Sequence, residues 1–174
     1  MFDLPAINFD RDALQAKLTE IQRETSLTLA HDGRHFFAPR SLSELLELRA
    51  AHPMATILAG STDIGLWVNK QFRELGDIIF IGEIAELKTV SRSESALTIG
   101  AGVSLTDAYA ALRNIYPEMN EMWERFASVP IRNAGTLGGN VANGSPIGDT
   151  MPGLIALGAS VTLASVTARR RLTL

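Results

Sequence analysis

The sequence predicts an α+β domain, because short β-branched or aromatic runs alternate with capped helical segments along most of the chain. Its 174 residues amount to about one domain. Hydrophobic residues make up 46% of the chain and charged residues 20%. This balance is typical of a globular protein with a buried core.

Composition excludes several functional classes. The formal net charge of −3 leaves no basic field to attract nucleic acid or an anionic membrane. The absence of cysteine excludes a disulfide scaffold, an iron–sulfur cluster and a cysteine nucleophile from this chain. No apolar run approaches the roughly 20 residues of a membrane span, and the first residues lack the basic start of a signal peptide. We therefore expect a cytoplasmic location, with neither a nucleic-acid partner nor a membrane.

Residues 1–35 are predicted to be a linker, and residues 36–174 form the predicted domain. Within the linker, residues 10–25 are highly charged and carry Leu14, Leu18 and Ile21 at helical spacing, which indicates a short amphipathic helix. Residues 29–39 carry turn-forming and polar side chains, which favours a connecting role.

Helix caps and apolar runs mark the elements of the domain. Ser41, followed three residues later by Glu44, is the signature of a capping box, and Ser104 is a suitable N-cap for another helix. Predicted helices cover residues 41–50, 63–72, 104–112, 117–127 and 150–157. Predicted strands cover residues 55–59, 78–81, 97–101 and 160–165.

Two glycine-rich stretches carry the strongest functional signal. The first glycine segment, residues 58–65 (LAGSTDIG), runs from a strand through a turn into a helix. The second glycine segment, residues 131–149, combines glycines with small polar side chains. Backbone N–H groups bind phosphate, and glycine lets that backbone approach closely. The hydroxyls of Ser61, Thr62, Thr136 and Ser145 would add donors, and Asp63 and Asp149 would accept from ribose or ribityl hydroxyls.

Together the two segments suit a long diphosphate cofactor that lies across two loops. The alternative that both are plain turn-rich connectors stays open, because Gly, Ser, Asn and Asp are common in turns.

Familiar nucleotide and catalytic motifs do not occur in the sequence. No Lys-Ser/Thr pair follows either glycine segment, as a P-loop requires, and Leu105 occupies the third glycine position of a dinucleotide fingerprint that begins at Gly100. The histidines are scattered without metal-ligand spacing. No metal ligand and no catalytic base are predicted.

Both glycine segments resemble the FAD-binding loops of molybdenum hydroxylases. RNAGTLGGN at residues 132–140, followed by SPIGD at 145–149, is similar to one FAD signature of that family, and GSTD at 60–63 resembles the other. Their order and separation match, and the similarity covers roughly residues 36–174. The run at residues 143–152 is more similar to the small subunit of bacterial xanthine dehydrogenases than to the medium subunit of carbon monoxide dehydrogenases.

This resemblance implies an α+β FAD-binding domain of the PCMH type, built from two α/β subdomains with the cofactor between them. Residues 56–63 would line the diphosphate and adenosine side, Phe126 and Ala142 would lie near the flavin, and Asp149 would accept from a cofactor hydroxyl. The implied FAD-binding residues are Thr56, Ile57, Leu58, Ala59, Gly60, Ser61, Thr62, Asp63, Phe126, Thr136, Leu137, Gly138, Gly139, Asn140, Ala142 and Asp149.

The resemblance also implies a place in electron transfer. A molybdenum cofactor on a large subunit would oxidise the purine (xanthine or hypoxanthine), and electrons would pass through 2Fe-2S clusters and FAD to NAD⁺. Such clusters need cysteine ligands, so the iron–sulfur domains are expected to be missing from this chain. Because members of the family continue past residue 174 into a C-terminal subdomain, that subdomain is also expected to be missing, and this chain alone would be inactive. The alternatives are the flavin subunit of a carbon monoxide dehydrogenase-like hydroxylase and a non-catalytic interaction module.

Overall fold

A four-stranded sheet organises the first half of the computed structural model, which describes residues 10–145 and 147–174. Its strands are β1 (Leu27–His31), β2 (Arg34–Ala38), β3 (Thr56–Leu58) and β4 (Ile78–Phe80), in the spatial order β1-β2-β4-β3. The first two strands form an antiparallel hairpin, and β2 and β3 both run parallel to β4. The carboxyl ends of β3 and β4 therefore meet at one edge of the sheet, where open α/β sheets commonly bind ligands.

The N-terminal segment contains two regular elements. Helix α1 (Arg11–Glu20) confirms the predicted helix, although its Leu14 and Leu18 are exposed. The Asp10 carboxylate caps it by accepting from the Ala13 N–H at 3.0 Å. Strand β1 pairs with β2 along its whole length, so the sheet extends into the segment that the sequence predicts as a linker. Residues 1–9 of that predicted linker lie outside the described residues.

Helix α2 (Leu42–Ala51) begins as predicted. The Ser41 hydroxyl accepts from the Glu44 N–H, and the Glu44 carboxylate accepts from the Ser41 N–H, which confirms the capping box. The same carboxylate accepts from the Ser26 hydroxyl at 2.7 Å and from the Arg40 N–H at 2.8 Å. These hydrogen bonds, that of Ser26 above all, lower the pKa of Glu44. They also tie the residue before β1 to the start of the helix.

The remaining elements are short. Helix α3 (Ile64–Asn69) follows β3, and the hairpin of β5 (Val90–Arg92) and β6 (Leu97–Ile99) follows β4. The second half then contains α4 (Leu105–Arg113), α5 (Asn120–Arg125), α6 (Val129–Ala134), α7 (Leu137–Asn143), α8 (Thr150–Ala156) and a hairpin of β7 (Ser160–Ala164) with β8 (Arg169–Thr173).

Some elements of secondary structure differ from the predictions. The predicted helix at residues 117–127 is a 3₁₀ turn at Pro117–Met119 followed by α5. Strand β5 was not predicted, since its three residues are all exposed and carry no apolar alternation. The second glycine segment, predicted as a loop, folds largely into α6 and α7. Within the described residues, no helix is both long and apolar enough to cross a bilayer.

Two clusters of buried side chains stabilise the fold. The first lies against the sheet around Ile79 and Ile84, which are fully buried. The second lies around Tyr109 and Trp123, whose rings stack with their centroids 4.7 Å apart. Two cores in one short chain fit the two-subdomain architecture that the resemblance implies.

Tyr109→Phe is expected to lower the free energy of unfolding by about 1–3 kcal/mol, because it leaves the buried Thr150 hydroxyl without its hydrogen-bond partner. The Tyr109 hydroxyl lies 2.6 Å from Thr150 Oγ1, and Thr150 is fully buried. Chemical denaturation measures the change, and Tyr116→Phe is the matched control because Tyr116 is half-buried. The double variant Tyr109→Phe/Thr150→Val should be less destabilised than the sum of its parts. A full-size loss in the Tyr116 control would contradict this role for the buried hydrogen bond.

Candidate functional site

A cavity of about 370 Å³ lies where the two glycine segments meet. We call it the central cavity. Its size is within the range of small-molecule sites. It opens at the carboxyl edge of β3, between the first glycine segment and the start of α7. The lining residues are Ile57, Ala59, Gly60, Ser61, Thr62, Asp63, Ile64, Trp67, Ile81, Ala101, Leu105, Gly135, Thr136, Gly138, Gly139, Asn140, Ala142 and Asn143.

Most of the residues predicted to bind the cofactor line this cavity. All but Ile57 belong to the two glycine segments, although residues 66–130 separate these segments in sequence. The predicted residues in the lining are Ile57, Ala59, Gly60, Ser61, Thr62, Asp63, Thr136, Gly138, Gly139, Asn140 and Ala142.

Five predicted residues lie elsewhere. Thr56 and Leu58 are held within β3, where the Thr56 hydroxyl donates to the Leu75 carbonyl at 2.8 Å. Leu137 is buried in the second core. Phe126 packs edge-on against Tyr109, with ring centroids 6.0 Å apart. Asp149 is exposed just before α8, beside the buried Tyr109, whose pKa is raised by burial first and by the Asp149 charge in addition.

The first glycine segment forms a tight turn whose backbone donors are open. Ser61 has a φ of 62°, a left-handed conformation that is uncommon for a residue other than glycine and is found preferentially at functional sites. Asp63 returns to the right-handed helical region, and the Ser61 carbonyl accepts from the Gly65 N–H at 2.8 Å. Within residues 10–145 and 147–174, the N–H groups of residues 60–64 have no hydrogen-bond partner. Successive open N–H groups in such a turn form a concavity that binds anions.

By contrast, three successive backbone donors of the second glycine segment, at residues 137–139, are used within the protein. The Leu137 N–H donates to the Val103 carbonyl and the Gly138 N–H to the Ala101 carbonyl, both at 2.9 Å. The Gly139 N–H donates to the Thr136 hydroxyl at 3.1 Å, as part of the N-cap of α7. These three N–H groups are therefore not free for a phosphate, unlike those of residues 60–64. Its contribution to the cavity is surface and side chains.

Glycines allow the backbones around the cavity to approach each other. A Cβ added at Gly60 would lie 1.9 Å from the Ala134 carbonyl oxygen, at the end of α6. A Cβ added at Gly138 would lie 2.5 Å from the Ala101 Cβ and 2.7 Å from the Ala101 carbonyl oxygen. Since real Cβ atoms do not approach so closely, side chains at these two positions would force the segments apart.

Arg132 is a residue of the second glycine segment with a structural role that the sequence did not reveal. Its Nη1 donates to the carbonyls of Glu124, Phe126 and Ala127 at 3.1, 2.7 and 2.8 Å. Ala127 has a φ of 51°, so the turn between α5 and α6 is held in an unusual conformation by one guanidinium. This contact fixes α6 and, through it, the Ala134 carbonyl against which Gly60 packs.

The central cavity has a mixed polar and apolar surface with one acidic residue. Asp63 is the only charged residue among those that line it, and the apolar part includes Trp67, Ile57 and Leu105. Asn140 Oδ1 is buried and, within the described residues, has no hydrogen-bond partner. A buried acceptor without a partner costs free energy, so this oxygen is suited to a donor that a ligand would bring.

Several lining residues were missed from the sequence. Trp67 lies in α3, four residues after Asp63, and this spacing places both side chains on one helix face. The predicted role of Asp63 could therefore have indicated that Trp67 lines the same cavity. Ala101 lies in the turn after β6, which contacts α7 through the hydrogen bonds described above, and Leu105 is the first residue of α4. Such a contact between distant segments leaves no local signal in the sequence.

The histidines lie outside the cavity. His35 and His52 each place Nδ1 3.2 Å from the Asp77 carboxylate, and His31 lies 3.4 Å from Asp32 at the surface. The backbone N–H of His35 is the main cause that lowers the pKa of Asp77. Within the part of the chain that is described, no group of three or more His, Asp or Glu side chains could hold a metal ion.

Comparison with known proteins gives a consistent set of similarities. The family model described as the FAD binding domain in molybdopterin dehydrogenase matches residues 29–174. Xanthine dehydrogenase of Drosophila subobscura is 35% identical over 163 residues, which cover 87% of this chain and 12% of that protein. Xanthine dehydrogenase/oxidase of Gallus gallus is 31% identical over 143 residues, covering 76% and 10%. The chain thus spans about an eighth of the length of these curated relatives.

Solved structures show the same fold. Carbon monoxide dehydrogenase from Hydrogenophaga pseudoflava superposes with a TM-score of 0.74 at 28% identity, covering 79% of this chain and 49% of that one. Quinoline 2-oxidoreductase from Pseudomonas putida 86 gives a TM-score of 0.68 at 28% identity, covering 78% and 48%.

Proposed function

We propose, from the premise that the chain belongs to the family of FAD-binding domains of molybdopterin dehydrogenases, that its central cavity holds the diphosphate of FAD. The observation that carries this proposal is the row of open N–H groups at residues 60–64. A diphosphate is an anion with several acceptor oxygens, and oriented backbone amides bind such groups without a cationic side chain. This suits a cavity whose lining includes no Lys or Arg.

Other lining groups fit the remainder of the cofactor. Gly138 lets the start of α7 pack closely against Ala101, and both residues line the cavity. Asp63 and the buried Asn140 Oδ1 are acceptors, and the ribose, ribityl and amino groups of FAD are donors. The hydroxyls of Ser61 and Thr62 can turn to donate or to accept. The residues present therefore match the donor and acceptor pattern of FAD.

In this function the chain positions and shields the cofactor. FAD supplies the two-electron redox chemistry when it is bound, and the protein supplies binding, orientation and electrostatics. The turn at residues 60–64 holds the diphosphate, while the apolar wall excludes water from the adjoining ring. We assign no general base, because electron passage through a flavin needs none.

The activity of the whole protein is proposed from its relatives. Proteins named xanthine dehydrogenase recur among the curated relatives, which supports a purine substrate, xanthine or hypoxanthine, and NAD⁺ as electron acceptor. The partners would be a subunit or domain carrying the molybdenum cofactor and the iron–sulfur domains that feed electrons to FAD. A carbon monoxide dehydrogenase-like flavin subunit is the second candidate, favoured by the solved structures that superpose on this fold.

Titration of the full chain with FAD, followed by flavin fluorescence, tests the binding proposal. We expect saturable binding of FAD and much weaker binding of riboflavin, because riboflavin lacks the phosphates that the open N–H groups would hold. Equal binding of the two ligands, or no binding of either, would contradict the proposal.

Anaerobic addition of NADH to the FAD-loaded enzyme separates the two candidate activities. Bleaching of the flavin absorbance by NADH supports the NAD⁺-linked purine dehydrogenase. An unchanged spectrum in an enzyme that holds FAD favours the second candidate instead.

A further inference from the structure

We propose that Trp67 is a stacking surface for a heteroaromatic ring of the cofactor and that Arg73 fixes its indole in place. This inference rests on the proposed function, because it needs a dinucleotide in the central cavity. Trp67 is the only aromatic residue among the described residues that line that cavity.

Trp67 lies next to the proposed diphosphate site. It follows Asp63 by four residues in α3 and therefore sits one helical turn along the same face. Asp63 belongs to the turn whose N–H groups are open. In a flavin dinucleotide, one sugar unit on each side joins the diphosphate to a planar ring. An aromatic side chain one helical turn from the diphosphate site can therefore contact one of these two rings.

Arg73 packs over the ring of the Trp67 indole. Its guanidinium carbon lies 4.3 Å from the centroid of the Trp67 ring, and the Arg73 N–H donates to the Trp67 carbonyl at 3.0 Å. Arg73 is not among the residues that line the central cavity. The guanidinium thus lies over the Trp67 ring, while Trp67 also lines the cavity.

Core packing does not explain this tryptophan. Trp67 is half-buried and, within the described residues, belongs to neither cluster of packed hydrophobic side chains. The other tryptophan of the chain, Trp123, is 1% exposed and stacks inside the second core. A large aromatic side chain that is fixed at a cavity wall, with no core to pack into, is suited to stack on a ligand ring.

Binding of FAD by variants of the full chain tests this role. Trp67→Leu is expected to weaken FAD binding about tenfold, the size of one base–aromatic stacking contact, whereas Trp67→Phe should stay within about threefold because it keeps an aromatic face. Leu66→Ala is the matched control, since Leu66 lies on the same helix, is 50% exposed and does not line the cavity. It should bind FAD as the parent chain does.

Titration with ADP and with FMN identifies the ring. The ligand whose ring stacks on Trp67 should quench tryptophan emission in the parent chain, and this quenching should be lost in Trp67→Phe, which retains Trp123. If Trp67→Leu does not fold, the quenching difference between the parent chain and Trp67→Phe decides the question. Unchanged FAD affinity in a folded Trp67→Leu, or equal quenching in both chains by every ligand, would overturn the stacking role. Loss of FAD binding by the parent chain itself would instead overturn the proposed function.

Discussion

Gly60→Ala is expected to lower the free energy of unfolding by about 3 kcal/mol and to weaken FAD binding about a hundredfold. The new Cβ would lie 1.9 Å from the Ala134 carbonyl oxygen and 2.6 Å from its carbon. Both atoms belong to the backbone at the end of α6, which Arg132 fixes through three carbonyls. Because the end of α6 is fixed in this way, the turn at residues 60–64 must move to relieve the clash, and its open N–H groups move with it.

Gly65→Ala is the matched control for this substitution. Gly65 lies within α3, five residues further along the same motif, and a Cβ there would meet only the Ser61 Oγ at an ordinary 3.6 Å. Since alanine favours a helix over glycine by about 1 kcal/mol, this variant should be as stable as the parent chain or more so, with FAD binding retained. Denaturant unfolding and FAD titration measure both effects. Similar losses in the two variants would show that the Gly60 contact is not the cause.

Gly138→Ala is expected to cost about 2 kcal/mol of stability and most of the FAD affinity. The added methyl would lie 2.5 Å from the Ala101 Cβ and 2.7 Å from the Ala101 Cα and carbonyl oxygen. The Gly138 N–H donates to that same carbonyl at 2.9 Å. Relief of the clash therefore breaks a backbone hydrogen bond and moves α7 away from the turn after β6, which opens the wall of the cavity.

The neighbouring Gly139→Ala provides the comparison. A Cβ at Gly139 would meet only the Thr136 hydroxyl at 2.7 Å, and a hydroxyl can rotate away. The cost should be limited to a weakened N-cap, about 1 kcal/mol. Unfolding by urea distinguishes the two, and a larger loss for Gly139→Ala than for Gly138→Ala would contradict the packing derived from the structure.

Local signals in the sequence were sufficient for elements that depend on local chemistry. Ser41 and Glu44 predicted the capping box that starts α2, because both partners lie within one helical turn. Ser104 predicted the start of α4, where its hydroxyl accepts from the Asp107 N–H at 3.1 Å. The β-branched run at residues 78–81 predicted β4, whose central residue is fully buried.

Elements that depend on distant partners could not be predicted in this way. Glycine and asparagine made residues 135–144 resemble a loop, yet the contacts of Leu137 and Gly138 with the turn after β6 and the cap from Thr136 stabilise a helix there. This matters for the site, because those contacts occupy the N–H groups of residues 137–139, which the sequence left available to a phosphate. Trp67 was missed because its role follows from the position of α3 beside the cavity and not from a motif.

Amide NMR spectra of the ¹⁵N-labelled chain, recorded during titration with FAD, test whether the N–H groups of residues 60–64 bind the diphosphate. We expect the chemical shifts of the amides of residues 60–64 to change as the diphosphate accepts their hydrogen bonds. The amides of residues 137–139 should change little, because protein acceptors already hold them. Large chemical-shift changes at residues 137–139 with none at residues 60–64 would contradict this binding mode and place the diphosphate at the second glycine segment.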